Sequence, residues 1–317
     1  MQYISFMFIE QGIHKENKFW KYIVGSLLII LASTIGQVPL LVAVMAKSFS
    51  EGKTFPTDQN DLMKVLDSNL TLFLILLSFA FAVAGIYFVI RYLHSQSMMS
   101  ILTSRSKLDW SRIGFSFVIM AILTIVSTGI EYYSNPSDFL VNFNLLPFLC
   151  LFLIATVMIP IQTSCEELVF RGYLMQGFGN LGMTKWFPLV MTSVIFGMMH
   201  IFNPEVGKMG NIILIYYIGT GFLLGIMTLM DEGMELALGF HAANNLIGAL
   251  LVTSDWSAFK TESILKDLSE PSAGIDVILP VILVYPLLLF IFSKKYKWLH
   301  WQEKLTGKIN QQQPLEQ

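Results

Sequence analysis

A chain of 317 residues in which 54% of side chains are hydrophobic and only 13% are charged, with a mean hydropathy of +0.62, has more apolar surface than a soluble protein of that size hides in its core. The formal net charge of −2 excludes the basic surface that a nucleic-acid partner would require. The composition predicts an all-α, polytopic bundle of membrane helices with the lipid bilayer as its surroundings.

A spanning helix needs about 20 mostly apolar residues. Eight candidate spans follow along the chain, at about 21–46, 70–92, 112–131, 145–168, 186–202, 211–230, 235–253 and 275–293. The apolar run from Met1 to Ile9 is too short and too poorly flanked to be a cleaved signal peptide, so the first span is predicted to serve as the insertion signal. The polar loops at about 47–69 and 254–274 have room for short helices. Gly177, Gly179 and Gly182 predict a turn between the fourth and fifth spans. In the sixth span, Gly221-x-x-x-Gly225 is spaced for close helix approach. The tail after Lys294 ends in Gln311-Gln312-Gln313 and is predicted to be disordered.

With eight spans both termini share a side. That side receives 14 of the 20 lysines and arginines, among them Lys18, Lys21, Arg105, Arg112, Lys294, Lys295 and Lys297, and the opposite loops receive 6. The asymmetry predicts that both termini are cytoplasmic. Cys150 and Cys165, the only two cysteines, both fall on the fourth span. Fifteen helical residues separate them by roughly 22 Å, which forbids an intrachain disulfide and leaves them as apolar packing residues.

Three patterns place polar chemistry inside these apolar stretches: Glu166-Glu167-x-x-x-Arg171, Phe196-x-x-x-His200 and His241-x-x-x-Asn245. An ionisable group at the centre of a membrane helix costs roughly 2.5–3.5 kcal/mol on insertion scales, so several in one chain point to a shared site. Successive helical residues are rotated by about 100°. Glu166 and Glu167 therefore face different ways, whereas Glu167 and Arg171, four apart, lie on one stripe. That spacing suggests a Glu167–Arg171 pair that braces the helix while Glu166 faces a cavity. His241 and Asn245 stack in the same way and are placed to address one substrate atom, with Asn244 turned about 100° aside. A flat hairpin between the fourth and fifth spans leaves a depth mismatch of roughly 10 Å between Glu166 and His241, which a kinked or protruding helix end would remove.

In order, spacing and membrane context the three motifs resemble the CPBP intramembrane proteases, the group that includes the type II CAAX prenyl endopeptidases and bacterial Abi and bacteriocin-processing relatives. The resemblance covers roughly residues 145–253. It implies that Glu166 is the general base that activates water with help from His200, that Glu167 and Arg171 organise the site, and that His241 and Asn245 stabilise an oxyanion. It also implies a membrane-associated protein or peptide as substrate; prenylated substrates belong to only part of the family. On this reading the chain divides into a cytoplasmic segment at 1–20, N-terminal spans at 21–140, a catalytic core at 141–255, a loop with the last span at 256–293 and a cytoplasmic tail at 294–317.

Two alternatives stay open at the level of residues. Glu166, His200 and His241 offer one oxygen and two nitrogens, a set that zinc accepts with water as fourth ligand. The His-Glu-x-x-His helix of zinc proteases is absent, however, and the expectation is a glutamate-dependent reaction with no obligatory metal, zinc remaining possible. The second alternative is a non-enzymatic transporter or scaffold, because buried charged and histidine side chains also line ion pathways or lock helices together.

Overall fold

A computed structural model describes residues 7–13, 17–57, 59–257, 260–271 and 274–309. Helices occupy all eight predicted stretches: α1 (Phe19–Ser50), α2 (Ser68–Leu93), α3 (Trp110–Ser134), α4 (Leu145–Gly182), α5 (Trp186–Met198), α6 (Ile213–Asp231), α7 (Glu235–Leu251) and α8 (Val277–Tyr296). Among the described residues six of them are long and apolar enough to cross a bilayer. The other two, α5 with 13 residues and α7 with 17, fall short. The expectation of eight full spans is thereby corrected. Hydropathy counts apolar residues and does not see where the chain bends: α7 ends because Val252 turns extended, and the chain beyond α5 turns into a short helix opened by Pro204.

Helix α4 departs from expectation in the other direction. It was predicted to end near residue 168, yet it continues unbroken for 38 residues. Over Leu168–Leu174 its hydrogen bonding widens to a π turn, directly after the two glutamates. The glycine-marked reversal comes only at Met183, which adopts a left-handed conformation at φ 51°.

Two aspartates start helices in the expected way. Asp67 accepts from the backbone N–H groups of Asn69 and Leu70 at 3.0 and 3.3 Å, and Asp109 from those of Ser111 and Arg112 at 3.0 and 3.3 Å. Within the bundle α7 packs on α3 and α4, α6 on α5, α1 on α2, and α2 on α4. Two glycines let helix backbones approach closely. A Cβ on Gly239 would come within 2.1 Å of the Ile113 carbonyl oxygen on α3, and one on Gly221 within 2.7 Å of the Ser193 carbonyl oxygen on α5. The second contact fits the close approach expected of the Gly221-x-x-x-Gly225 pattern.

Both described chain ends lie at one end of the bundle. Residues Phe8–Gly12 form a 3₁₀ turn whose Phe8 and Ile9 are fully buried. Phe8 N–H donates to Glu232 Oε2 at 2.7 Å, and Ile9 joins Met175, Leu189, Leu229 and Ile309 in one apolar cluster. At the same end Asp231 is held by Arg105, Arg112 and the Trp298 indole, and Glu235 by Arg105 at 3.1 Å. These bonds fasten the α6–α7 turn to the start of α3. The opposite end carries a small sheet of order β1-β3-β2, made by β1 (Phe139–Val141), β2 (Val252–Ser254) and β3 (Leu265–Asp267). The loop at 254–274, which had room for short helices, supplies a strand instead, because its backbone pairs with Phe139–Val141 and with the strand that follows α7. The other polar loop does hold a short helix, at Gln59–Leu62. The disorder predicted for the tail after Lys294 is corrected as far as residue 309: α8 runs to Tyr296, a short helix follows at Trp301–Thr306, and Trp298 and Ile309 are buried because they pack against the bundle, while Gln311–Gln313 lie outside the described residues.

Candidate active site

Helix α4 brings Glu166 and Glu167 to the point where it widens into the π turn. Arg171, within that turn, donates from Nη1 to Glu167 Oε1 at 3.1 Å and from Nη2 to the Gly221 carbonyl at 3.2 Å. Its guanidinium also lies 4.3 Å over the Phe196 ring. Glu167 and Arg171 are wholly shielded from solvent, so neither charge is stable there without the other. The pair is joined through one oxygen only, and Glu167 Oε2 and Arg171 Nε are buried without a hydrogen-bond partner.

His241, on α7, donates from Nδ1 to the same Glu167 oxygen at 2.7 Å. That bond fixes the ring and leaves Nε2 facing Glu166 Oε2 at 3.5 Å. Glu166 and His241 thus meet, and the roughly 10 Å depth mismatch expected from a flat hairpin does not arise. Instead of ending at the glutamates, α4 runs on through its widened turn. Glu166 retains 18% side-chain exposure, against none for Glu167, so the two adjacent carboxylates have different surroundings.

Asn245, one turn beyond His241, donates from Nδ2 to Gln162 Oε1 at 3.2 Å and accepts from Asn244 Nδ2 at 2.9 Å. Gln162 in turn donates to Glu166 Oε1. Five of the six candidate site residues, Glu166, Glu167, Arg171, His241 and Asn245, are therefore joined, directly or through Gln162. His200 stands beside them. Its Nδ1 donates to the Phe196 carbonyl at 2.8 Å and its ring stacks on Tyr217 with centroids 4.1 Å apart. Phe196 spans the gap, with its ring centroid 5.0 Å from that of His200 and 6.0 Å from that of His241. Gln162 and Tyr217 are outside all three motifs. The signal that could have found Gln162 is its position one helical turn before Glu166.

Among the described residues no three His, Cys, Asp or Glu side chains form a group able to hold a metal ion. Cys165, next to Glu166, is buried and Cys150 is exposed on the outer surface of α4, both as free thiols.

A family model described as type II CAAX prenyl endopeptidase, Rce1-like, matches residues 142–247, the stretch that holds every residue of the cluster. The chain is 30% identical over 249 residues to an uncharacterized protein, YyaK, of Bacillus subtilis strain 168, covering 78% of this chain and 82% of that one. No solved structure matches.

Proposed function

Because the chain belongs to the CPBP intramembrane protease family, which includes the type II CAAX prenyl endopeptidases, we propose that it hydrolyses a peptide bond of a membrane-associated protein or peptide by direct attack of an activated water. The observation that carries this reading is the meeting of a partly accessible carboxylate, Glu166, with an imidazole whose orientation is held by a second, buried carboxylate. A base and a hydrogen-bond donor then face one point in a low-dielectric place.

Glu166 Oε2 takes a proton from water, whose second hydrogen is oriented by the free Nε2 of His200. The hydroxide oxygen bonds to the carbonyl carbon, and the carbonyl electron pair moves to its oxygen. That oxyanion receives N–H donation from protonated His241 Nε2 and from the second hydrogen of Asn245 Nδ2. Collapse of the tetrahedral intermediate expels the amine, which takes the proton from Glu166. Zinc is given no step, because the residues present do not form a three-ligand set.

His241 lies six residues after Glu235, about 9 Å along α7 from the bundle end that carries both chain ends. With those ends cytoplasmic, the substrate bond is reached from the cytoplasmic half of the membrane. The test compares membrane proteomes of cells carrying wild type or Glu166→Gln. A peptide terminus that forms only with wild type is expected, reduced at least about 100-fold in the variant. Absence of any such terminus, together with an ion flux that depends on Glu166, would replace hydrolysis by transport. Purified protein treated with a strong chelator should keep most of its cleavage; complete loss, restored by stoichiometric zinc, overturns the metal-free reaction.

A further inference from the structure

Gln162 lies four residues before Glu166 on the same stripe of α4 and is 4% exposed. Its carboxamide faces two members of the cluster at once. Oε1 accepts from Asn245 Nδ2 at 3.2 Å, and Nε2 donates to Glu166 Oε1. Asn245 Oδ1 is itself taken by Asn244. The result is a directed chain of amides, Asn244 to Asn245 to Gln162 to Glu166, each donating to the next. It crosses from α7 to α4.

We propose that Gln162 is a positioning residue that sets the working geometry of both Glu166 and Asn245, a role that rests on the hydrolytic reading above. By occupying Glu166 Oε1 it leaves Oε2, the oxygen 3.5 Å from His241, as the one that meets water. By taking one Asn245 N–H it fixes the carboxamide plane and leaves the other N–H for the oxyanion. A carboxylate and an amide on separate helices are thus held at a mutual distance that neither helix alone would define. A Met side chain of similar bulk would fill the same volume and supply neither bond, so this role differs from packing.

The purified full-length chain in vesicles of phosphatidylcholine and phosphatidylglycerol is assayed with a synthetic peptide spanning the terminus that wild type creates in cells. Gln162→Met removes both hydrogen bonds. Gln162→Glu keeps the shape and the acceptor for Asn245 but loses the donor to Glu166, and it carries the test if the Met variant does not fold. In either variant kcat is expected to fall about 10- to 100-fold with KM within about twofold. Asn245→Ala, costly alone, is expected to cost less than about threefold more once Gln162→Met is present. Unchanged kcat in both Gln162 variants, a rise in KM at constant kcat, or additive effects of Gln162→Met and Asn245→Ala each overturn the positioning role. A wild type that cleaves nothing overturns the hydrolytic reading itself and this role with it.

Discussion

One carboxylate oxygen, Glu167 Oε1, serves both a guanidinium and an imidazole, and on the proposed function the Glu167–Arg171 pair is the structural half of the cluster and Glu166 the chemical half. Removing one partner of a buried ion pair leaves an uncompensated charge and costs about 3–5 kcal/mol. Arg171→Ala should therefore lower both the yield of folded protein and its melting temperature in detergent, the more so because it also loses the Gly221 carbonyl and the face of Phe196. Glu166→Gln, nearly isosteric and partly exposed, should leave both unchanged. The division of labour is wrong if the Gln variant unfolds while the Ala variant melts like wild type. The i,i+4 spacing of Glu167 with Arg171 and of His241 with Asn245 was legible because a helix converts that interval into adjacency. Gln162 has the same interval before Glu166, but a glutamine outside the three motifs gains its meaning only once its partner on α7, Asn245, is known. The stacking of His200 on Tyr217 was hidden for the same reason: an aromatic in an apolar span looks like any other core residue.

At the level of elements, the position of His241 depends on how closely α7 lies against α3. Gly239, two residues earlier, touches the Ile113 carbonyl so nearly that an added methyl group would sit 2.1 Å from it, and backbone cannot rotate away as a side chain does. Gly239→Ala should cost about 1–3 kcal/mol by overpacking and displace α7 enough to lose cleavage, even though Gly239 touches no reacting group. Melting in detergent together with formation of the wild-type-dependent terminus checks this. Melting and cleavage like those of wild type would show that the two helices have slack. The eight apolar runs predicted eight helices, and helices are there. Their lengths and continuity were less legible. The π turn of α4 uses the same residue types as an α turn, and the three-residue strands are too short for a period-two pattern to emerge.

For the whole molecule, the arrangement of the helices gives the bundle two unlike ends: one closed by the charged α6–α7 turn and both chain ends, the other by the small sheet. The proposed orientation, drawn from the lysine and arginine asymmetry, puts the first on the cytoplasmic side. Lys297→Cys at that end and Ser137→Cys at the other, each in a chain carrying Cys150→Ser, should separate cleanly with a membrane-impermeant maleimide applied to whole cells. Only Ser137→Cys should be labelled; labelling of Lys297→Cys alone would reverse the orientation. The cluster that joins Ile9 to Ile309 adds a constraint in time. Ile9 leaves the ribosome first among its members, and Ile309 last, some 300 residues later. The helices can enter the bilayer one after another, but this contact has to wait until Ile309 has been made, and until then the earliest part of the cluster stays within reach of chaperones and proteases.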